Sequence, residues 1–195
     1  MIFLPNSADK YFAALRLYIH LRIIKYGMTE KHYEQLKMLN LAEALFAAEN
    51  TEPVDIFELF DNLIIASAAL KLEYGLHIKA KISGSGAFRI SRKSYTVLLM
   101  ELLGGYHDCE IHLEKKSGGV LIKIQNGNMT RHIPPLIRAM NGYALRESFA
   151  DNMVIYLPLD RCPAAPPEKT RPVHYITDPF SPVNIFLYKF IPRSR

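Results

Sequence analysis

The chain reads as an α+β protein, with a pair of helices standing in front of a region where strand and helix patterns alternate. Two observations predict this. Residues 8–48 carry apolar side chains at three- and four-residue spacing, interrupted once at Gly27. Later segments alternate polar and apolar residues, or form short apolar runs bounded by turn signals, with helical stripes between them.

Asn6-Ser7 supplies a cap for a first helix that runs to about Tyr26. Phe12, Leu15, Ile19 and Ile23 make its stripe, and Leu17, Leu21 and Ile24 widen it. Gly27 ends that helix, and Thr29, with Glu30 and His32 behind it, starts a second that runs to about Ala48. Tyr33, Leu36, Leu39, Ala42 (or Glu43) and Phe46 share one side of it. Two such helices joined by a tight turn form an antiparallel hairpin. A hairpin alone cannot bury so wide a stripe. The spacing therefore predicts a homodimer through residues 8–48, completing a four-helix bundle.

Glu52-Pro53 breaks the chain, and Asp55 caps a helix from Ile56 to about Glu73, closed by Gly75. His77 to Ile82 alternates as a strand with one buried face, Ser83-Gly84-Ser85-Gly86 turns, and Phe88-Arg89-Ile90 is a short strand. Ser91 or Ser94 caps the helix carrying Leu98, Leu99, Leu102 and Leu103. Glu110–Lys115 and Val120–Gln125 flank the turn Ser117-Gly118-Gly119 as a hairpin. Residues 133–149 hold one helix after Pro134-Pro135, and Met153–Leu157 is a last strand. From Arg161 onward prolines crowd the sequence, which predicts a linker or docking tail more than a packed layer. The apolar run Phe186–Phe190 would lie on the body as an extended segment. The organisation is thus residues 1–52, 53–160 and 161–195.

Charge narrows the function classes. Residues 1–52 carry 6 basic and 6 acidic side chains, residues 53–160 carry 12 and 11, and residues 161–195 carry 6 and 2, so +4 of the net +5 lies in the last 35 residues. A nucleic-acid protein shows its basic face on the folded part, so no nucleic-acid partner is expected. Cys109 and Cys162 stand far apart and read as free thiols of a reducing compartment. The N-terminus lacks a basic leader, and Arg16, His20 and Arg22 interrupt the longest apolar stretch. No membrane span and a cytoplasmic location follow as expectations.

The order of elements, taken with several short stretches, resembles the transmitter core of sensor histidine kinases. Pro53-Val54-Asp55-Ile56-Phe57-Glu58-Leu59 is similar to the start of the kinase domain's first helix, and Gly75-Leu76-His77-Ile78 to the strand after it. Phe88-Arg89-Ile90-Ser91, with Leu98, Leu99, Glu101 and Leu102, resembles the approach to the phosphate-coordinating helix. Ile122-Lys123-Ile124-Gln125-Asn126-Gly127 sits where that family has its adenine-binding turn, and Met153–Leu159 resembles its closing strand. The resemblance covers about residues 8–160 and rests on order and spacing. It implies a dimerisation hairpin followed by a two-layer α/β sandwich of the gyrase/chaperone/kinase/mismatch-repair type.

The departures fall on the chemistry. Where the family places a metal-ligating Asn, four residues after Glu101, this chain has Gly105, which has no side chain to offer a hard oxygen ligand. The adenine-binding Asp corresponds to Gln125, an amide in place of a carboxylate, and the second glycine of that turn to Met129. About 25 residues separate Gly127 from the last strand, with no Gly-x-Gly pattern for a phosphate loop. Glu101, Gly105, Gln125, Asn126 and Gly127 are therefore vestigial nucleotide-site positions, with no cofactor and no metal expected. Glu101 reads as a polar residue on a solvent-facing helix side. The cluster His107-Asp108-Cys109-Glu110-Ile111-His112 runs from a helix end into a strand, where alternate side chains diverge.

His20 is the candidate phospho-acceptor on the first helix, but Leu21 replaces the usual acidic neighbour and Gly27 follows only seven residues later. The sequence thus predicts a non-catalytic, histidine-kinase-like signalling protein that dimerises and contacts a response regulator or kinase. The alternatives are a phosphorelay histidine phosphotransferase using His20, and a divergent ATP-binding sensor kinase. A basic-tail binder of nucleic acid or an anionic surface is a further class, distinguished by steep salt dependence.

Overall fold

A computed structural model describes residues 7–146 and 152–191. Its first helix, α1 (Ser7–Tyr26), ends where Gly27 takes a left-handed conformation (φ +78°) and donates to the Ile23 carbonyl at 2.8 Å. Asn6, the other candidate cap, lies outside the described residues. Helix α2 (Glu30–Phe46) opens on Thr29, whose N–H donates to His32 Nδ1 at 3.2 Å; a histidine does here what a glutamate does in a capping box. The two helices pack side by side as a hairpin.

The buried face of the hairpin is narrower than the stripe predicts. Phe12 and Ile19 of α1 are buried, whereas Leu15, Leu17, Leu21 and Ile24 are exposed. In α2 the buried set is His32, Leu36, Leu39, Asn40, Leu41, Glu43 and Ala44, so the face is rotated away from Phe46, which is 67% exposed.

A short strand β1 (Glu52–Asp55) precedes helix α3 (Ile56–Leu72), which Asp55 caps by accepting from Phe57 N and Glu58 N, both at 3.1 Å. Then come β2 (Ile78–Ser83), β3 (Ala87–Ile90) and helix α4 (Arg92–Leu103), capped by Ser91 Oγ. Strands β4 (Cys109–Lys116) and β5 (Gly119–Gln125) form the expected hairpin. Helix α5 (Ile133–Ala139), strand β6 (Tyr143–Arg146), strand β7 (Asn152–Pro158) and the two-residue β8 (Arg161–Cys162) follow.

Five strands make the main sheet in the order β2-β4-β5-β7-β6; β2 and β4 run parallel, and the other pairs are antiparallel. One face carries Ile111, Leu113, Val120, Ile122, Ile124, Met153, Ile155 and Leu157, all buried. These side chains meet the buried residues of α3, α4 and α5 in one continuous core, so the architecture is a helical hairpin joined to a two-layer α/β sandwich. The small sheet β1-β3-β8 closes one end.

Three expectations are corrected. Strand β2 does not bury a face: Lys79, Ala80, Lys81 and Ile82 are exposed, because β2 is an edge strand paired only with β4, and its lysines suit an open edge. The single helix over 133–149 stops at Ala139, and Asn141 turns left-handed (φ +56°). A Cβ on Gly142 would approach Leu157 Cδ2 to 2.6 Å, so the chain passes tightly into β6; residues 147–149 lie outside the described residues. The proline-rich segment is packed, not a tail. Pro172 and Pro182 begin the short helices α6 (Pro172–Thr177) and α7 (Pro182–Phe186), positions where a missing N–H costs nothing. A 3₁₀ turn over Tyr188–Phe190 replaces the expected extended run. Val183, Ile185 and Leu187 have no exposure, and Phe190 has 1%. Pro192 lies outside the described residues.

Candidate functional site

The C-terminal segment Ser181–Ile191 runs between α2 and α4 and forms one wall of a cleft of about 470 Å³. Gly104 and Gly105, after α4, and Gly127, Asn128 and Met129, after β5, make the other wall. Phe186, Tyr188 and Lys189 of the segment face them. Tyr188 is anchored to the hairpin: its ring stacks on Tyr33 (5.2 Å between centroids, 8° between planes), and its hydroxyl donates to Glu34 at 2.5 Å. Burial and the neighbouring carboxylates of Glu34 and Glu30 push the Tyr188 phenol above the ordinary tyrosine range.

Phe190 packs behind Tyr106, which lines the cleft. Its ring lies 5.0 Å from Tyr106 and 5.5 Å from Tyr74, and Lys71 Nζ stands 5.5 Å above it. Lys71 is 1% exposed and donates to the His107 carbonyl at 3.0 Å, placing a cation at the C-terminal end of α4 where the helix dipole favours one. Desolvation lowers its pKa.

The sequence-predicted positions are not all gathered in this cleft. Gly105 and Gly127 line it. A Cβ on Gly105 would meet Asn128 Cβ at 3.6 Å, an ordinary contact, whereas a Cβ on Gly127 would strike Ile124 at 2.6 Å. Asn128 holds its place by donating from its backbone N–H to the Leu102 carbonyl at 2.8 Å. Gln125 is exposed on β5 between Glu110 and Asn152 of the neighbouring strands. Asn126 is left-handed (φ +54°) and borders a separate shallow hollow with Tyr106, His107 and Asp108.

Glu101 overturns its expected exposure. It has 0% exposure, its Oε1 lies 2.9 Å from Lys37 Nζ, and its Oε2 accepts from the Thr130 hydroxyl. The carboxylate is thus compensated by a lysine of the hairpin, as a buried charge requires. No motif marks Lys37, Asn128, Thr130 or Tyr188; their roles come from contacts across the fold.

His20 is placed against the segment before α7, its ring 4.4 Å from that of Phe180, and its Nε2 is buried without a hydrogen-bond partner. The His107–His112 cluster disperses. Asp108 Oδ1 accepts from His77 N at 2.7 Å, Cys109 is buried, and His112 Nε2 pairs with Ser83 Oγ at 2.9 Å. The backbone bond from His77 holds the Asp108 carboxyl below its usual range. Among the described residues no helix is long and apolar enough to cross a membrane.

No protein-family model matches the chain, and no curated protein matches it. Solved structures do. The Acinetobacter baumannii histidine kinase AdeS is similar at 13% identity and TM-score 0.49, over 81% of this chain and 100% of that one. Full-length ShkA in complex with AMPPNP is similar at 17% identity and TM-score 0.51, over 85% of this chain and 42% of ShkA. The histidine kinase domain of the Erythrobacter litoralis blue-light-activated kinase EL346 gives 12% identity and TM-score 0.42, over 80% and 87%. The likeness to ShkA is one of fold, a helical hairpin joined to an α/β sandwich.

Proposed function

We propose that this chain is a non-catalytic, histidine-kinase-like signalling protein that acts by self-association and by contact with a response regulator or kinase. One observation carries the reading: the cleft lined by Gly105 and Gly127 is walled by the chain's own Phe186, Tyr188 and Lys189, and the carboxylate of Glu101, one turn before Gly105, is committed to Lys37. Gly105 offers no ligand for a metal–phosphate complex, and Glu101, buried in an ion pair, is not free to act as a base. The placement of His20, with its Nε2 buried against Phe180, weighs against phosphotransfer through that ring. Self-association is supported by the hairpin, where Tyr11, Leu17, Tyr18, Leu21, Ile24 and Met38 are all about half exposed or more. A helix apolar on most of its circumference is ordinarily buried.

Calorimetric titration with ATP and ADP, with and without magnesium, tests the reading. No heat at high micromolar protein is expected, and sedimentation as a dimer is expected. Magnesium-dependent binding at micromolar affinity, or turnover of ATP, would overturn it.

A further inference from the structure

A second cavity lies away from the vestigial nucleotide positions. It has a volume of about 570 Å³ and opens where α1 and α2 meet the N-terminal half of α4 and the α6–α7 segment. Its size falls in the roughly 300–1,000 Å³ range of small-molecule sites, and its composition does too: an apolar wall with a few convergent polar groups. The rings of Phe12 and Phe46, 5.2 Å apart and edge to face, make the apolar side with Phe180 opposite.

The polar side is a built cluster. Glu43 and Asn40 are 7% and 8% exposed. Arg16 donates to Asn40 Oδ1 at 2.7 Å and to Glu43 Oε2 at 2.9 Å, and Lys93 pairs with that same Glu43 oxygen. Two cations therefore share one carboxylate. Arg92, also on the wall, is matched by Glu168 and by Glu52 at 3.4 Å. Asp9 stands at the exposed lip, where water screens it. At Glu43 the wall thus holds two cations against one carboxylate, close to the aromatic rings, while Arg92 is fully matched by its own acidic partners.

We propose that this cavity is a binding site for a small molecule with a flat apolar body and an anionic head group. The rings of Phe12, Phe46 and Phe180 take the body, and Arg16 and Lys93 take the head. Since the cavity is lined by both the hairpin and the sandwich, its occupant would join the two.

Two fluorescent probes test this on the full chain: anilinonaphthalene sulfonate, and its uncharged counterpart phenylnaphthylamine. Both are expected to bind at one site per chain. Lys93→Gln, at a side chain 47% exposed, weakens the sulfonate about tenfold and leaves the neutral probe within about twofold. Ala13→Trp, at an exposed position of the rim, fills the mouth and abolishes binding of both with the melting curve unchanged. Loss of binding in Met38→Glu but not in Ala13→Trp would overturn the proposal by moving the site to the groove between α1 and α2, which Met38 lines. Equal weakening of both probes by Lys93→Gln, or no saturable binding, also overturns it.

Discussion

Lys37 Nζ sits 2.9 Å from Glu101 Oε1, and this pair joins the hairpin to the helix that ends at the cleft. The two partners are not equivalent. Glu101 has no exposure, whereas the Lys37 side chain keeps 20% and can turn to water. Lys37→Met strands a buried carboxylate and should cost about 3–5 kcal/mol. Glu101→Gln leaves a lysine with an outlet and should cost about 1–2 kcal/mol. Denaturant midpoints at constant slope measure both, and equal losses in the two variants would show that the carboxylate is not the stranded partner.

Restoring one ligand should not restore the site. Gly105→Asn fits sterically, since its Cβ would meet only Asn128 at ordinary distance, so the variant should melt within a few degrees of the parent. Titration with magnesium and ATP should still give no heat, because Phe186, Tyr188 and Lys189 stay on the opposite wall. Recovered binding would mean that the segment yields to the ligand.

The segment Ser181–Ile191 should behave as core. Phe190→Ala removes a 1% exposed ring touching Tyr74 and Tyr106 and should cost about 3–5 kcal/mol by thermal or chemical unfolding. A loss under about 1 kcal/mol would return the segment to the status of an appended tail.

Alkaline pH should unfold the protein by way of its tyrosines. Burial raises Tyr33, Tyr95, Tyr175 and Tyr188, so the folded chain keeps protons that the unfolded chain loses above pH about 10. Their contribution is fully present below that pH and is lost as pH rises through the higher folded values. Lys71, lowered by desolvation, acts in the opposite sense but at lower pH, since its effect is complete once pH reaches the ordinary lysine value of about 10.5. Tyr188→Phe should make the decline of stability above pH about 10 shallower, as read from urea midpoints across a pH series.

Charge placed on the hairpin should separate association from folding. Leu21 is 56% exposed and Met38 49%, so Leu21→Glu and Met38→Glu should each change monomer stability by under about 1 kcal/mol. Sedimentation should show the dimer lost in at least one of them. A dimer intact in both would move the interface off residues 8–48.

What the sequence made legible was local. Asp55, Ser91 and Gly27 act within one turn of themselves, and each caps or ends the helix it was read to cap or end. Alternation located β4, the turn after it located β5 and an apolar run located β7, all with a buried face on the helices, whereas alternation overstated the burial of β2, an edge strand with most of its residues exposed. Pro53 hid β1, though as an edge strand β1 tolerates a residue without an N–H. The proline-rich stretch misled for a related reason. Proline breaks long helices and starts short ones, and Pro182 sits directly after the capping Ser181. The pairing of Lys37 with Glu101 leaves no mark on either stretch of sequence. Only the packing of α2 on α4, fixed in part by Ser94 Oγ donating to the Ala44 carbonyl at 2.6 Å, brings them together.

The bond from Tyr188 to Glu34 spans 154 positions of sequence, and it sets a timetable for biogenesis. Helix α2 is made early, yet part of its covering arrives with nearly the last residues of the described chain. At roughly 5–20 residues per second, the ribosome leaves that interval open for about 10–30 s. During it, side chains such as Leu36, which ends with no exposure, wait without their full surroundings. The Tyr188–Glu34 contact, distant in sequence, closes only after that interval.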